Sequence, residues 1–309
     1  MKKRKVGIIG VGHVGAHVAY ALLIQGIVDE LVLINKDEEK LKSEVQDLND
    51  AVAFAPHRCV IYAGNYSDLK DCDIIVHTAG NVGVLVNAKQ DRNVEMGYTL
   101  DITDNTIYKI KQSGFDGILI NVTNPCDVIT KKIDEILDLK DGHVFGTGTG
   151  LDTSRLLAAI SKHTNIDHNS INAFMIGEHG NKQFCPWSTV SIKGGKLDAK
   201  LDYEQITEET IKGGWVTYAG KHCTEYGIAS ATARMVKAVL HDEKIVLAAS
   251  CKLNREYGEE GIFAGVPCVI GKDGVERVIE LPLNDEEKAK FHECCDGIRA
   301  NLKEAKIEE

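Results

Sequence analysis

The chain has 309 residues, 43% hydrophobic and 27% charged, an ordinary balance for a globular enzyme and enough length for two cores. A net charge of −10, with no basic run after Met1-Lys2-Lys3-Arg4-Lys5, repels a polyanion and removes nucleic acid from the expected partners. Nine cysteines, an odd number without Cys-x-x-Cys spacing, argue against a metal site and a disulfide framework and suit a reducing cytoplasm.

No apolar run approaches the roughly 20 residues of a membrane helix. The basic start is followed by a stretch interrupted at Gly10, Gly12, His13 and Gly15, which is not the pattern of an export signal. A cytoplasmic enzyme without membrane contact is the expectation.

Strand-like runs at 6–9, 31–34, 60–62, 74–78, 118–122 and 143–145 are mostly apolar on consecutive residues, as in parallel strands covered on both faces. Helical candidates at 16–23, 40–53 and 101–113 fall between them. This rhythm predicts an α/β fold: an N-terminal Rossmann domain with a doubly wound parallel sheet over residues 1–145. The pattern then changes. A helix at 152–163, strand-like pieces at 171–176 and 187–192, and a long helical region at 203–240 broken at Gly213-Gly214 come next. A Gly-Lys-Asp-Gly turn at 271–274 and a terminal helix from about 284 complete a C-terminal α+β substrate domain, 146–309.

Gly10-Val11-Gly12-His13-Val14-Gly15 is a G-x-G-x-x-G between the first strand and the first helix. The glycines allow a tight turn, approach of a pyrophosphate and close helix–strand packing, and the helix N-terminus offers N–H groups to the phosphates. Among 29 glycines the pattern alone is weak; its place in a βαβ series makes it a dinucleotide site. The second strand ends at Asn35, where an acidic residue usually meets the ribose 2′-OH. Asn35 can hydrogen-bond a ribose without repelling a 2′-phosphate, Lys36 adjoins it, and Asp37 is a substitute carboxylate. NAD is the expected cofactor, with weakened discrimination against NADP.

Gly177-Glu178-His179-Gly180, Leu151-Asp152-Thr153-Ser154-Arg155 and Asn124-Pro125 carry the chemistry. Together with Gly271-Lys272-Asp273-Gly274-Val275-Glu276 and Glu280-Leu281-Pro282-Leu283, they resemble the lactate/malate dehydrogenase family over essentially the whole chain. The resemblance implies that His179 is the acid/base, that Asp152 orients it and raises its pKa, and that Arg155 clamps the substrate carboxylate. It also implies that Asn124 bonds the reacting oxygen and seats the nicotinamide, that Gly80 and Asn81 border the cofactor, and that Arg92 is a loop arginine polarising the carbonyl. No resident metal is implied. A homotetramer is.

The loop 81–92 contains no arginine before Arg92, so a second substrate carboxylate would be desolvated without a partner and malate is disfavoured. Its apolar middle includes Val84 and Leu85. By the same resemblance, Gly213 and Gly214 fall where lactate enzymes commonly carry two small side chains, so that removing those methyls widens the pocket, and Thr224 and Ile228 match pocket positions. The long loop and the 177–184 segment most resemble L-2-hydroxyisocaproate dehydrogenases. The expectation is therefore reversible reduction of 2-oxo acids to L-2-hydroxy acids, with preference for branched or larger apolar side chains. The alternatives are an L-lactate dehydrogenase acting on pyruvate and a non-catalytic dinucleotide-binding sensor; intact His179, Asp152 and Arg155 weigh against the sensor.

Overall fold

The computed structural model describes residues 3–80, 92–180, 182–197 and 200–307. The first half alternates β1 (Lys5–Ile9), α1 (His13–Ile24), β2 (Glu30–Ile34), α2 (Glu38–Ala51), β3 (Val60–Ala63), β4 (Ile74–His77), α3 (Arg92–Ser113), β5 (Ile118–Asn121), α4 (Cys126–Leu137) and β6 (Val144–Gly146). The second half holds α5 (Gly150–Thr164), β7 (Ile171–Asn172), β8 (Ser191–Ile192), β9 (Gly195–Lys196), α6 (Tyr203–Lys221) and α7 (Tyr226–Leu240). It ends with β10 (Ile245–Asn254), β11 (Glu260–Gly271), β12 (Gly274–Val278) and α8 (Asp285–Glu304).

Nine strands form one sheet in the order β12-β11-β10-β6-β5-β4-β1-β2-β3. The six from β3 to β6 are parallel, in the doubly wound order 3-2-1-4-5-6 reversed. Strand β10 joins β6 antiparallel, with Ser250 opposite Gly146, so the sheet runs on into the C-terminal half. Strands β7, β8 and β9 form a separate small sheet.

Consecutive apolar residues in the central strands go to opposite cores. Leu31, Leu33, Ile74, Val76, Ile118 and Ile120 join a cluster with α1 and α7, while Val32, Ile75 and Leu119 join one with α3 and α4. A strand covered on both sides therefore has no polar face, and each large side chain contributes about 1.5–3 kcal/mol on leaving water.

The long helical region breaks later than the glycine pair suggests. Gly213 and Gly214 lie inside α6, which ends at His222 in the left-handed conformation (φ 60°), and α7 starts at Tyr226. Glycine costs a helix interior about 1 kcal/mol relative to alanine without breaking it. All nine cysteines are free and buried. Among the described residues no helix is long and apolar enough to cross a membrane.

Candidate active site

At the carboxyl end of β1, Gly10 adopts φ +92°, and a Cβ there would come within 2.7 Å of the Ala79 backbone. One turn into α1, a Cβ on Gly15 would stand 2.2 Å from the Gly10 carbonyl oxygen, so only glycine lets helix and strand approach this closely. A Cβ on Gly12 would meet nothing within 4 Å, leaving open space at the helix start. Gly12 is the N-cap, makes no side-chain cap and is followed by no acidic residue in the first turn. The backbone N–H groups of α1 are thus available to an anion, in agreement with a pyrophosphate cradle.

A groove of about 610 Å³ opens beside this turn, lined among others by Gly10, Gly12, Asn35, Lys36 and Gly80. The Asn35 amide donates to the Asp37 carbonyl at 3.3 Å. Asp37 caps α2, its carboxylate accepting the Lys40 N–H at 3.0 Å, and it is not among the groove's lining residues. The cradle and groove together fit NAD, which Gly10, Gly12, Asn35 and Gly80 would border.

A second cavity, about 190 Å³, lies where α1, α5, α6 and α7 meet. Val14, Asn124, Asp152, Arg155, His179, Gly214, Thr224 and Ile228 all line it, so eight predicted site residues from six segments converge. Asn124 begins the cis Asn124–Pro125 peptide after β5. Asp152 and Arg155 stand one turn apart on α5, on one face at the (i, i+3) spacing.

His179 Nδ1 donates to Asp152 Oδ2 at 2.6 Å, and Arg155 Nη1 donates to Asp152 Oδ1 at 2.9 Å. Burial of the Asp152 carboxyl works to raise its pKa, but the charges and hydrogen bonds of His179 and Arg155 outweigh it and hold the group below its ordinary value. The result is an ionised, almost fully buried carboxylate (1% exposed) gripping an imidazole by one nitrogen. An imidazole so held can exchange a proton through Nε2.

The His179 segment is fixed from several sides. Gly177 exchanges backbone hydrogen bonds with Gly265 of β11, and Asn301 of α8 draws the Glu178 side chain away at 2.9 Å. The His179 N–H donates to Asp127 Oδ2 at 2.8 Å, while Ser250 Oγ donates to Asp127 Oδ1 at 2.6 Å. Burial pushes the Asp127 carboxyl up to about 6 against these two donors and the nearby His179 charge. Sequence reasoning missed Asp127. It sits two residues past Pro125, and only the fold brings it 52 residues along the chain to His179.

Of the glycine pair in α6, Gly214 borders this cavity. Gly213 is not among its lining residues, and a Cβ on Gly214 would stand 3.3 Å from Arg155 Nη1. The glycines make room for the guanidinium against α6. Cavity residues that the sequence did not single out include Ile211, Trp215, Tyr218, His222 and Gln183. Asn81, Val84, Leu85 and the Arg92 side chain lie outside the described residues.

Residues 4–146 match the lactate/malate dehydrogenase NAD binding domain, and residues 149–309 match the family's alpha/beta C-terminal domain. The L-lactate dehydrogenase of Fusobacterium nucleatum is 38% identical over 308 residues, covering 96% of this chain and 95% of that protein. The ligand-bound minor L-lactate dehydrogenase of Enterococcus mundtii superposes with a TM-score of 0.94 at 34% identity, over 99% of both chains. The lactate dehydrogenase of Cryptosporidium parvum complexed with lactic acid and NAD gives 0.90 at 25% identity, over 98% of both. The chain belongs to the lactate/malate dehydrogenase family and is an NAD-dependent 2-hydroxy-acid dehydrogenase.

Proposed function

We propose that the protein interconverts pyruvate and L-lactate. The observation that carries this reading is the His179–Asp152–Arg155 constellation in a cavity beside the dinucleotide cradle. Full-length similarity to enzymes named L-lactate dehydrogenase supports pyruvate over 2-oxoisocaproate. Gly214 borders the cavity but Gly213 does not, which weakens the case for a widened pocket. Its other support, the apolar loop with Val84 and Leu85, lies outside the described residues.

Bound NAD supplies or accepts hydride at the substrate α-carbon. Arg155 would pair with the substrate carboxylate through the face of its guanidinium fork that does not hold Asp152, which orients the 2-oxo group. His179 would give a proton to the carbonyl oxygen in reduction and take it back in oxidation, with Asp152 stabilising the imidazolium. Asn124 would hydrogen-bond that oxygen, and Arg92 would place a cation where its negative charge develops. Thr224 and Ile228 would border the substrate side chain. At Asn35, the absence of a carboxylate leaves NADPH as a poorer but usable reductant.

A cytoplasmic homotetramer completes the reading. Self-association, though not the number of subunits or the location, is supported by exposed apolar side chains on and near α1, α2 and α7: Tyr20, Ile24, Phe54 and Tyr226. Light scattering on the purified protein measures the assembly.

The deciding experiment compares kcat/KM for pyruvate, 2-oxoisocaproate, phenylpyruvate and oxaloacetate with NADH. Pyruvate should lead. A clear lead for 2-oxoisocaproate or phenylpyruvate would return the reading to the larger-substrate dehydrogenases, and no turnover of any with tight NADH binding would indicate a sensor.

A further inference from the structure

The last residues of β4 and β5, His77 and Asn121, are register partners and the only polar residues in two otherwise apolar strands; both are 0% exposed. Buried polar side chains at this depth are costly unless fully paired. The Asn121 amide is oriented without ambiguity. Its Nδ2 donates to the Thr123 carbonyl (3.1 Å), the Cys126 carbonyl (3.3 Å) and Thr130 Oγ1 (3.0 Å), and its Oδ1 accepts the Thr123 N–H at 3.1 Å. One carboxamide thus holds both backbone groups of Thr123 and the first carbonyl of α4, enclosing the turn that presents Asn124.

That orientation favours one tautomer of His77. His77 Nδ1 stands 3.2 Å from Asn121 Oδ1 and 3.3 Å from the Thr123 hydroxyl, and the carboxamide oxygen, an acceptor only, favours a proton on Nδ1. Nε2 lies 3.0 Å from the Thr106 hydroxyl of α3, which in turn stands 3.0 Å from the Ile102 and Thr103 carbonyls. Burial pushes the imidazole down to about 4, so it stays neutral where the enzyme works. The Thr123 hydroxyl closes the network by donating to the Ala79 carbonyl at 3.0 Å. Thr106 and Ala79 both line the cofactor groove, whereas Asn124 lines the catalytic cavity.

We propose that His77 is a positioning residue for the Asn124 turn, fastening Asn121 through Nδ1 and tying the turn to α3 and the cofactor groove through Nε2. The inference rests on the proposed role of Asn124 at the reacting oxygen. His77 acts through Asn121 and touches no substrate. A small displacement of a group that must meet the transition state lowers turnover more than binding.

The two ring nitrogens can be tested separately, because an Asn amide nitrogen replaces Nδ1 and a Gln amide nitrogen replaces Nε2. Steady-state kinetics with the best 2-oxo acid of the panel above should give H77N a kcat within about threefold of wild type. H77Q and H77L should fall about 10-fold, a loss of the size that modest misplacement produces. NADH affinity, read by fluorescence, should stay within about twofold, and melting temperatures should not follow the order of the kcat losses. Asn121→Ser, which leaves His77 intact but removes the carboxamide, should reproduce the kcat loss. Equal kcat for H77N and H77Q, or losses that track melting temperature, would overturn the inference. Asn124→Ser serves as the control: wild-type kcat there would reject the reading of Asn124 and this inference with it. A loss at Asn124 without one at H77Q rejects the inference alone.

Discussion

His179 donates from Nδ1 to Asp152 at 2.6 Å, while the second oxygen of the same carboxylate receives Arg155 at 2.9 Å. One buried anion therefore organises both the proton-exchanging ring and the cation proposed for the substrate carboxylate. Removing its charge while keeping its shape separates those roles. Asp152→Asn should lower kcat by roughly 100-fold or more, since an amide neither stabilises an imidazolium nor enforces the tautomer. NADH affinity should be nearly unchanged, as fluorescence titration would report.

Arg155→Lys keeps the charge and loses the planar fork. One nitrogen would have to serve both Asp152 and the substrate, so kcat/KM for the 2-oxo acid should drop about 10- to 100-fold, the cost of about 1.5–3 kcal/mol for a charged hydrogen bond. The space left beside Gly214 gives a direct check: the bulkier Gly214→Val should damage the same parameter by displacing the guanidinium.

Asp127 has a consequence for stability. Its carboxyl ionises near 4 when unfolded and is pushed up to about 6 by burial in the fold, facing His179 and Glu178. Between those values the unfolded chain releases a proton that the folded chain retains. The contribution of Asp127 is thus fully present below pH 4 and is lost as pH rises through 6, amounting to about 2–3 kcal/mol. Denaturant titrations of wild type and Asp127→Asn at pH 4 to 7 should diverge across this window, the variant gaining relative to wild type as pH rises. Parallel curves would contradict the assignment.

The glycine turn should show two different failures. A methyl on Gly12 meets no protein atom but enters the space read as the pyrophosphate site. Gly12→Ala should keep its melting temperature and weaken NADH binding about 10-fold or more, a change of about 1.4 kcal/mol. A methyl on Gly15 would stand 2.2 Å from the Gly10 oxygen, so Gly15→Ala should lose about 1–3 kcal/mol of stability by overpacking. Thermal melts with and without NADH distinguish the two.

Much of this protein is written locally. Consecutive apolar residues flanked by helical patterns lead to the parallel strands, whose observed limits lie within about a residue of those expected, because a strand covered on both faces has no other way to bury itself. The glycine turn and the Asp152–Arg155 spacing are likewise local: four residues of one helix put both side chains on one face.

The tertiary structure decided what depends on distance along the chain. Asp127 meets His179 across 52 residues and Ser250 across 123, and no periodicity announces such pairs. Gly213 and Gly214 read as a helix break, yet α6 runs through them, with Arg155 packed alongside. His77 and Asn121 read as the ends of buried strands; only the register pairing them, and the helix bringing Thr106, turns two isolated polar residues into a satisfied network. Sequence specifies each residue's local freedom and chemistry, whereas the energy of a buried polar group depends on partners that only the folded chain supplies.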